Sequence, residues 1–176
     1  MKQILRLSLT LLVITAVMAA ALAGVNSITE ERIAAAKAEK TAQAISAVLD
    51  NGASAVEVPY STEGDTIVTK VYKNENGYAV QVSPSGFAGA IDMMVGVDND
   101  GNVTGISIIT HTETAGLGAV AAAKNAKGEA FRGQFEGLSG TLSVGDQIDA
   151  ISGATITSKA VTEGVNAALS CVASLG

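Results

Sequence analysis

Asp149-Ala-Ile-Ser-Gly-Ala-Thr-Ile-Thr-Ser158 is the stretch around which the rest of the chain is organised. Gln147 to Ile151 reads as a short strand running into a Gly-containing turn. A helix is predicted to start near Thr157, because Val161, Val165, Leu169 and Val172 recur at helical spacing downstream. Ser and Thr at such a junction satisfy the free N–H groups of a helix start. The same junction is a ready anion site, since several N–H groups and the positive end of the helix dipole converge there. Taken alone, Ser152-Gly153-Ala154-Thr155 reads as a capped turn.

The longer string Asp149-x-x-Ser152-Gly153-Ala154-Thr155-x-Thr157 resembles the flavinylation motif of the FMN-binding domain family. That family includes the G subunit of the Rnf complex and the C subunit of the sodium-translocating NADH:quinone oxidoreductase. The resemblance implies that Thr155 carries FMN covalently, through a phosphoester to its hydroxyl. Ser152, Thr157 and the backbone N–H groups of Gly153 to Ile156 would share the phosphate charge. A carboxylate beside a phosphate is repulsive. The resemblance therefore assigns Asp149 to recognition by a separate flavin transferase, which uses FAD and a metal ion, and not to electron transfer.

Two upstream segments carry the same resemblance. His111-Thr-Glu-Thr-Ala-Gly-Leu-Gly118 is similar to the family's second motif, with Ala115 where Pro is usual. In the family this loop lies against the flavin, which implies contacts from Glu113, Thr114, Leu117 and Gly118. Gly86-Phe-Ala-Gly-Ala-Ile91 fits the Gly-rich entry to the central hairpin, and Phe87 either flanks a ring system or packs in the core. The resemblance covers roughly Val80 to Val172. His111, the single histidine, reads as a polar residue at a strand end, because a zinc or hydrolase site needs several partners.

Lys2 and Arg6 precede Leu7 to Val25, a run without charge that is about as long as a bilayer-spanning helix. A secretory signal would look similar, with Ala21-Leu22-Ala23 as its cleavage site; a retained anchor is the favoured reading. Basic residues before the span keep the N-terminus cytoplasmic and send the remainder outward across the inner membrane. Ser27-x-x-Glu30 resembles a capping box, with Thr29 as a second cap, opening a stalk helix that stops at Asn51-Gly52. Its thin face, apolar apart from Lys40, is Ile33, Ala36, Lys40, Ala44 and Val48, broadened by Ile45 and Leu49, so it should dock at one end only.

All 17 acidic residues but only 9 of the 11 basic ones follow Val25, leaving that part at a net charge of −8. This argues against nucleic acid, which demands basic surfaces. The segment from Ala55 to His111 alternates in the strand manner. Thr66 to Tyr72 and Tyr78 to Val82 flank Asn76-Gly77, a hairpin signal, and Ala90 to Val97 and Val103 to Thr110 flank Asp98-Asn-Asp-Gly-Asn102. Asp98, Asp100 and Asn102 invite a calcium reading, but Val103 and Ile109 stand where an EF-hand needs Gly and Glu. Short helices are predicted up to Asn125 and from Glu129 to Phe135. The single cysteine, Cys171, reads as a small core residue.

The expected class is α+β: one extracytoplasmic FMN-binding domain of antiparallel hairpins and flanking helices, preceded by one N-terminal transmembrane helix. The expected division is an anchor over 1–25, a stalk over 26–52 and the domain over 53–176. The resemblance implies an electron relay with no catalytic residue or metal site of its own. Its partners would be the membrane, the other subunits of an Rnf-type complex and the flavin transferase. No dinucleotide fingerprint or cysteine cluster is present, so NAD and iron–sulfur chemistry would reside in those partners. Alternative readings are the C subunit of the quinone-reductase relative, or a non-redox, membrane-anchored anion- or ligand-binding sensory module. A hydrolase with Ser152 as nucleophile is disfavoured, because Ile151 breaks the Gly-x-Ser-x-Gly pattern.

Overall fold

The computed structural model describes residues 2–60 and 66–175; the part of the expected strand region at 61–65 lies outside them. Two compact units divide the chain, Met1–Glu39 and Lys40–Gly176.

The first unit belongs to a single helix, α1 (Lys2–Val48), which continues into the second. Its most apolar 18-residue window has a mean hydropathy of 2.3 and buries nothing within the protein. A helix with apolar side chains directed outward all round suits a lipid environment. Two threonine hydroxyls are satisfied internally, Thr10 Oγ1 donating to the Arg6 carbonyl at 2.8 Å and Thr15 Oγ1 to that of Leu11 at 3.0 Å. Hydrocarbon offers no other partner. The expected caps at Ser27 and Thr29 do not form. The helix passes through them unbroken, and Thr29 Oγ1 donates back to the Val25 carbonyl at 2.7 Å. Helix-favouring residues on both sides outweigh the local capping signal. The helix ends at Val48, and Asn51 just beyond it adopts the left-handed conformation (φ 56°).

The second unit is built on a five-stranded antiparallel meander in the order β1 (Val56–Val58), β2 (Val68–Asn74), β3 (Gly77–Val82), β4 (Asp92–Asp98), β5 (Val103–Thr110). The β2–β3 hairpin turns on Glu75-Asn76, one residue earlier than Asn76-Gly77 suggests. Asn74 pairs with Gly77, and Asn74 Oδ1 accepts from Asn76 N–H at 2.8 Å. The β4–β5 turn falls where expected. The Asp98 carboxylate accepts from the N–H groups of Asp100 (2.9 Å) and Asn102 (2.8 Å), so it is occupied in holding the turn.

Helices α2 (Ala126–Gly133) and α3 (Thr155–Leu175) complete the unit, with a 3-10 stretch at Gly118–Ala122 in place of the expected helix up to Asn125. Asn125 instead caps α2, its Oδ1 accepting from Lys127 and Gly128 N–H, so α2 starts three residues before the expected Glu129. The main core lies on the sheet face covered by α3, where Val80, Val82, Met93 and Val95 meet Val161, Val165 and Leu169. Gly164 allows that approach, since a Cβ there would lie 2.5 Å from Met93 Cε. The opposite face is covered by the last turns of α1 through Ala44, Ile45, Val48 and Leu49 against Ala79 and Met94. Both faces being covered, β3 is buried along its whole length. Cys171 is half-buried against the main core.

The expected strand at Gln147 to Ile151 shrinks to one parallel bridge, Val144 to Ile148. The next N–H, that of Asp149, goes to a side chain: Gln134 Oε1 accepts it at 2.8 Å. The helix begins at Thr155, two residues before the expected position.

Candidate functional site

Ile151 to Ala154 form a four-residue turn closed by Ala154 N–H to the Ile151 carbonyl at 2.9 Å. Gly153 occupies its third position at φ 76°, the conformation a type II turn reserves for glycine. Ser158 locks the turn to the helix. Its Oγ accepts from Ile151 N–H at 2.9 Å and donates to the Ala154 carbonyl at 3.0 Å. Ser158 N–H bonds the Ala154 carbonyl at 3.0 Å. The N–H groups of Thr155, Ile156 and Thr157 precede that bond and have no acceptor within the helix. Thr155 is exposed at this helix start.

The loop after β5 approaches the same helix start. His111 lies one residue past the strand end, its Nδ1 accepting from Glu113 N–H at 3.2 Å. Thr114 to Leu117 form a second turn, closed by Leu117 N–H to the Thr114 carbonyl at 3.2 Å, with Gly116 third at φ 77°. Ala115 holds the second position, where proline is favoured, which accounts for the usual residue of the resembled motif.

Glu113 ties the pieces together. Its side chain is buried (8% exposed), with Oε1 accepting from Ala88 N–H at 2.9 Å and Oε2 accepting a short bond from Thr157 Oγ1. Burial alone would raise its pKa, but the bonds from Thr157, Ala88 and Phe87 outweigh that and hold it below the ordinary carboxylate value. Two glycines make the space. A Cβ at Gly86 would lie 2.6 Å from Glu113 Oε1, and one at Gly118 would overlap the carboxylate and lie 2.5 Å from Thr157 Oγ1.

Between the two turns lies a cleft of ≈ 350 Å³. Glu113, Thr114, Leu117, Gly118, Gly153, Ala154, Thr155 and Thr157, all expected from the sequence, line it, with Phe87 and Ile156. Phe87 is 69% exposed, which removes the core-packing alternative. Ser152 and Asp149 are exposed but do not line the cleft. The Thr157 hydroxyl is donated to Glu113, so its proton is engaged inside the protein. Sequence reasoning did not single out Ser158, Gln134 or the Ile156 side chain. Ser158 stood in the quoted stretch as a helix residue, and only its bond across seven residues reveals the lock.

Such a cleft can take an elongated ligand, with an anionic end at the helix start and an apolar body between Phe87, Leu117 and Ile156. Residues 86–170 match the family model described as FMN-binding domain, and residues 1–48 match the RnfG N-terminal region. The G subunit of the Na(+)-translocating ferredoxin:NAD(+) oxidoreductase complex of Acetobacterium woodii is 36% identical, over 94% of this chain and 89% of its own length. The G subunit of the ion-translocating oxidoreductase complex of Methanosarcina acetivorans is 33% identical, over 97% and 95% respectively. Its counterpart in the proton-translocating ferredoxin:NAD(+) oxidoreductase complex of Clostridium ljungdahlii is 43% identical, over 52% and 51%.

Proposed function

The chain belongs to the family of Rnf G subunits, and on that premise we propose that it carries FMN covalently on Thr155. It is a membrane-anchored flavin electron-transfer subunit of an ion-translocating oxidoreductase. The observation that carries the covalent reading is the exposed Thr155 hydroxyl, at a helix start that opens into an apolar-walled cleft.

The residues present fit the group. Thr155 Oγ1 would hold the phosphate as an ester, and the N–H groups of Thr155, Ile156 and Thr157 would offset its charge. Phe87, Leu117 and Ile156 would cover the ring and exclude water from it. Glu113 fixes the loop that carries Leu117 to the helix that carries Thr155. When bound, FMN supplies the redox chemistry, and the protein supplies position and electrostatics. Asp149 is exposed, and Gln134 bonds its backbone at both N–H and carbonyl (2.8 and 3.4 Å). A flavin transferase would thus meet a carboxylate on a fixed backbone outside the cleft.

Thr155→Ala removes the hydroxyl and should abolish flavin fluorescence on a denaturing gel, when the chain is made with its flavin transferase and exported. Ser152→Ala should label as the parent does. A fluorescent Thr155→Ala band would overturn the attachment site. The charge bias of Lys2 and Arg6 supports a second unit outside the cytoplasm. Protease added to intact spheroplasts should therefore digest it, and protection until the membrane is breached would reverse the orientation.

A further inference from the structure

The outer edge of β5 carries a feature that the flavin cleft does not use. β5 is last in the sheet order, so among the described residues one of its edges has no strand neighbour. Val103 exchanges two bonds with the loop after α2, its N–H to the Leu138 carbonyl and its carbonyl from Gly137 N–H, both at 2.8 Å. No backbone bond of this kind continues beyond Val103 among the described residues. Ile106 to Ile109 instead border a groove of ≈ 430 Å³, between the last turns of α1 and the segment leading into α2.

Among the described residues, the rim of this groove carries Lys40, Lys124 and Arg132 and no carboxylate. Residues 40–176 hold 14 acidic side chains against 7 basic ones, so nearly half the cations of an acidic unit gather here. Arg132 stiffens the wall, its Nη1 donating to the carbonyls of Ala121 (2.6 Å) and Ala123 (3.1 Å). Lys40 and Lys124 are exposed.

An unpaired strand edge selects another strand, and a positive rim selects acidic side chains. A lipid headgroup or free anion would answer the charge and leave the edge unpaired. A second copy pairing edge to edge through a two-fold axis would bring the same lysines together. We propose that the groove docks an extended, acidic segment of another subunit of the complex, which adds to β5 as a further strand. This rests on the reading that the chain works inside a multi-subunit complex.

The test places a photocrosslinking benzoylphenylalanine at Ser107, which lines the groove, in the full chain within membranes containing the whole complex. Mass spectrometry should map the adduct to a net-negative segment of another subunit. Lys40→Glu with Lys124→Glu should cut the yield roughly tenfold by reversing the rim charge. The milder Lys40→Gln with Lys124→Gln should cut it less, and both pairs should keep fluorescent FMN on a denaturing gel. An adduct with lipid, with a second copy or with a non-acidic segment overturns the proposal. So does the absence of an adduct, or a yield indifferent to rim charge in chains that still carry flavin. A crosslinked chain without flavin would instead count against Thr155 and leave the groove standing.

Discussion

Two four-residue turns meet at the cleft, built alike and held differently. Thr114–Leu117 and Ile151–Ala154 each close with a first-to-fourth backbone bond and each place glycine third with φ near 76°. A Cβ at Gly153 would lie 3.1 Å from Leu117 Cδ2, so they approach closely. The second turn is held locally by Ser158, within seven residues. The first is held by Glu113 through partners 25 and 44 residues away. A local lock presents a hydroxyl at a fixed helix start; a distant lock makes one wall of the cleft depend on three parts of the chain.

The largest effect should come from cutting the distant lock. Glu113→Ala leaves the buried Thr157 hydroxyl and the Ala88 N–H without their acceptor, at a cost of about 2–3 kcal/mol for a charged bond. Urea denaturation of the detergent-solubilised chain would measure it, and a loss under 0.5 kcal/mol, roughly the surface-residue range, would refute the lock. The pH dependence has a definite sign. The folded pKa of Glu113 lies below its unfolded value, so its contribution is complete above the unfolded pKa. It is lost as pH falls through the folded one. Glu113→Gln should therefore flatten the acid side of the stability profile, while Ser158→Ala should leave it as in the parent.

Cutting the local lock should cost less. Ser158 is fully buried, and Ser158→Ala removes the acceptor of the Ile151 N–H. About 1–2 kcal/mol should go, again by urea denaturation. Thr155 keeps its hydroxyl, so flavin labelling should persist in folded chains. An equal loss in Ser158→Ala and Glu113→Ala would erase the distinction between the turns.

The same contrast explains what was legible from the sequence. The helical repeat of Val161, Val165 and Leu169, the Asp98 turn and the uncharged span are local patterns, and each forms near its expected place. Two elements were misplaced where a neighbour captured the backbone. Gln134 takes the Asp149 N–H that a strand would have used, and Ser158 pulls the helix start back to Thr155. The cleft lining was legible as two motifs, because the resemblance supplied both. That Glu113 joins them was not, since no spacing within either motif encodes a bond 44 residues long.

The smallest effect should be a gain in the distantly held turn. Ala115 occupies the second position of a turn whose third residue is a left-handed glycine, where proline's fixed φ is already that of the turn. The turn is closed by the N–H of Leu117, so the N–H that proline removes is not the closing donor. Ala115 is exposed, which leaves room for the ring. Ala115→Pro should then act through the unfolded chain by reducing its freedom, and should raise stability by roughly 0.4–1 kcal/mol. In the Glu113→Ala background the gain should shrink, because a wall no longer tied to Thr157 need not hold the turn in its native form. A thermal or urea double-mutant cycle measures both quantities. A loss of stability in Ala115→Pro would mean the turn is not of the type assigned. An undiminished gain without Glu113 would mean that it stands without the distant lock.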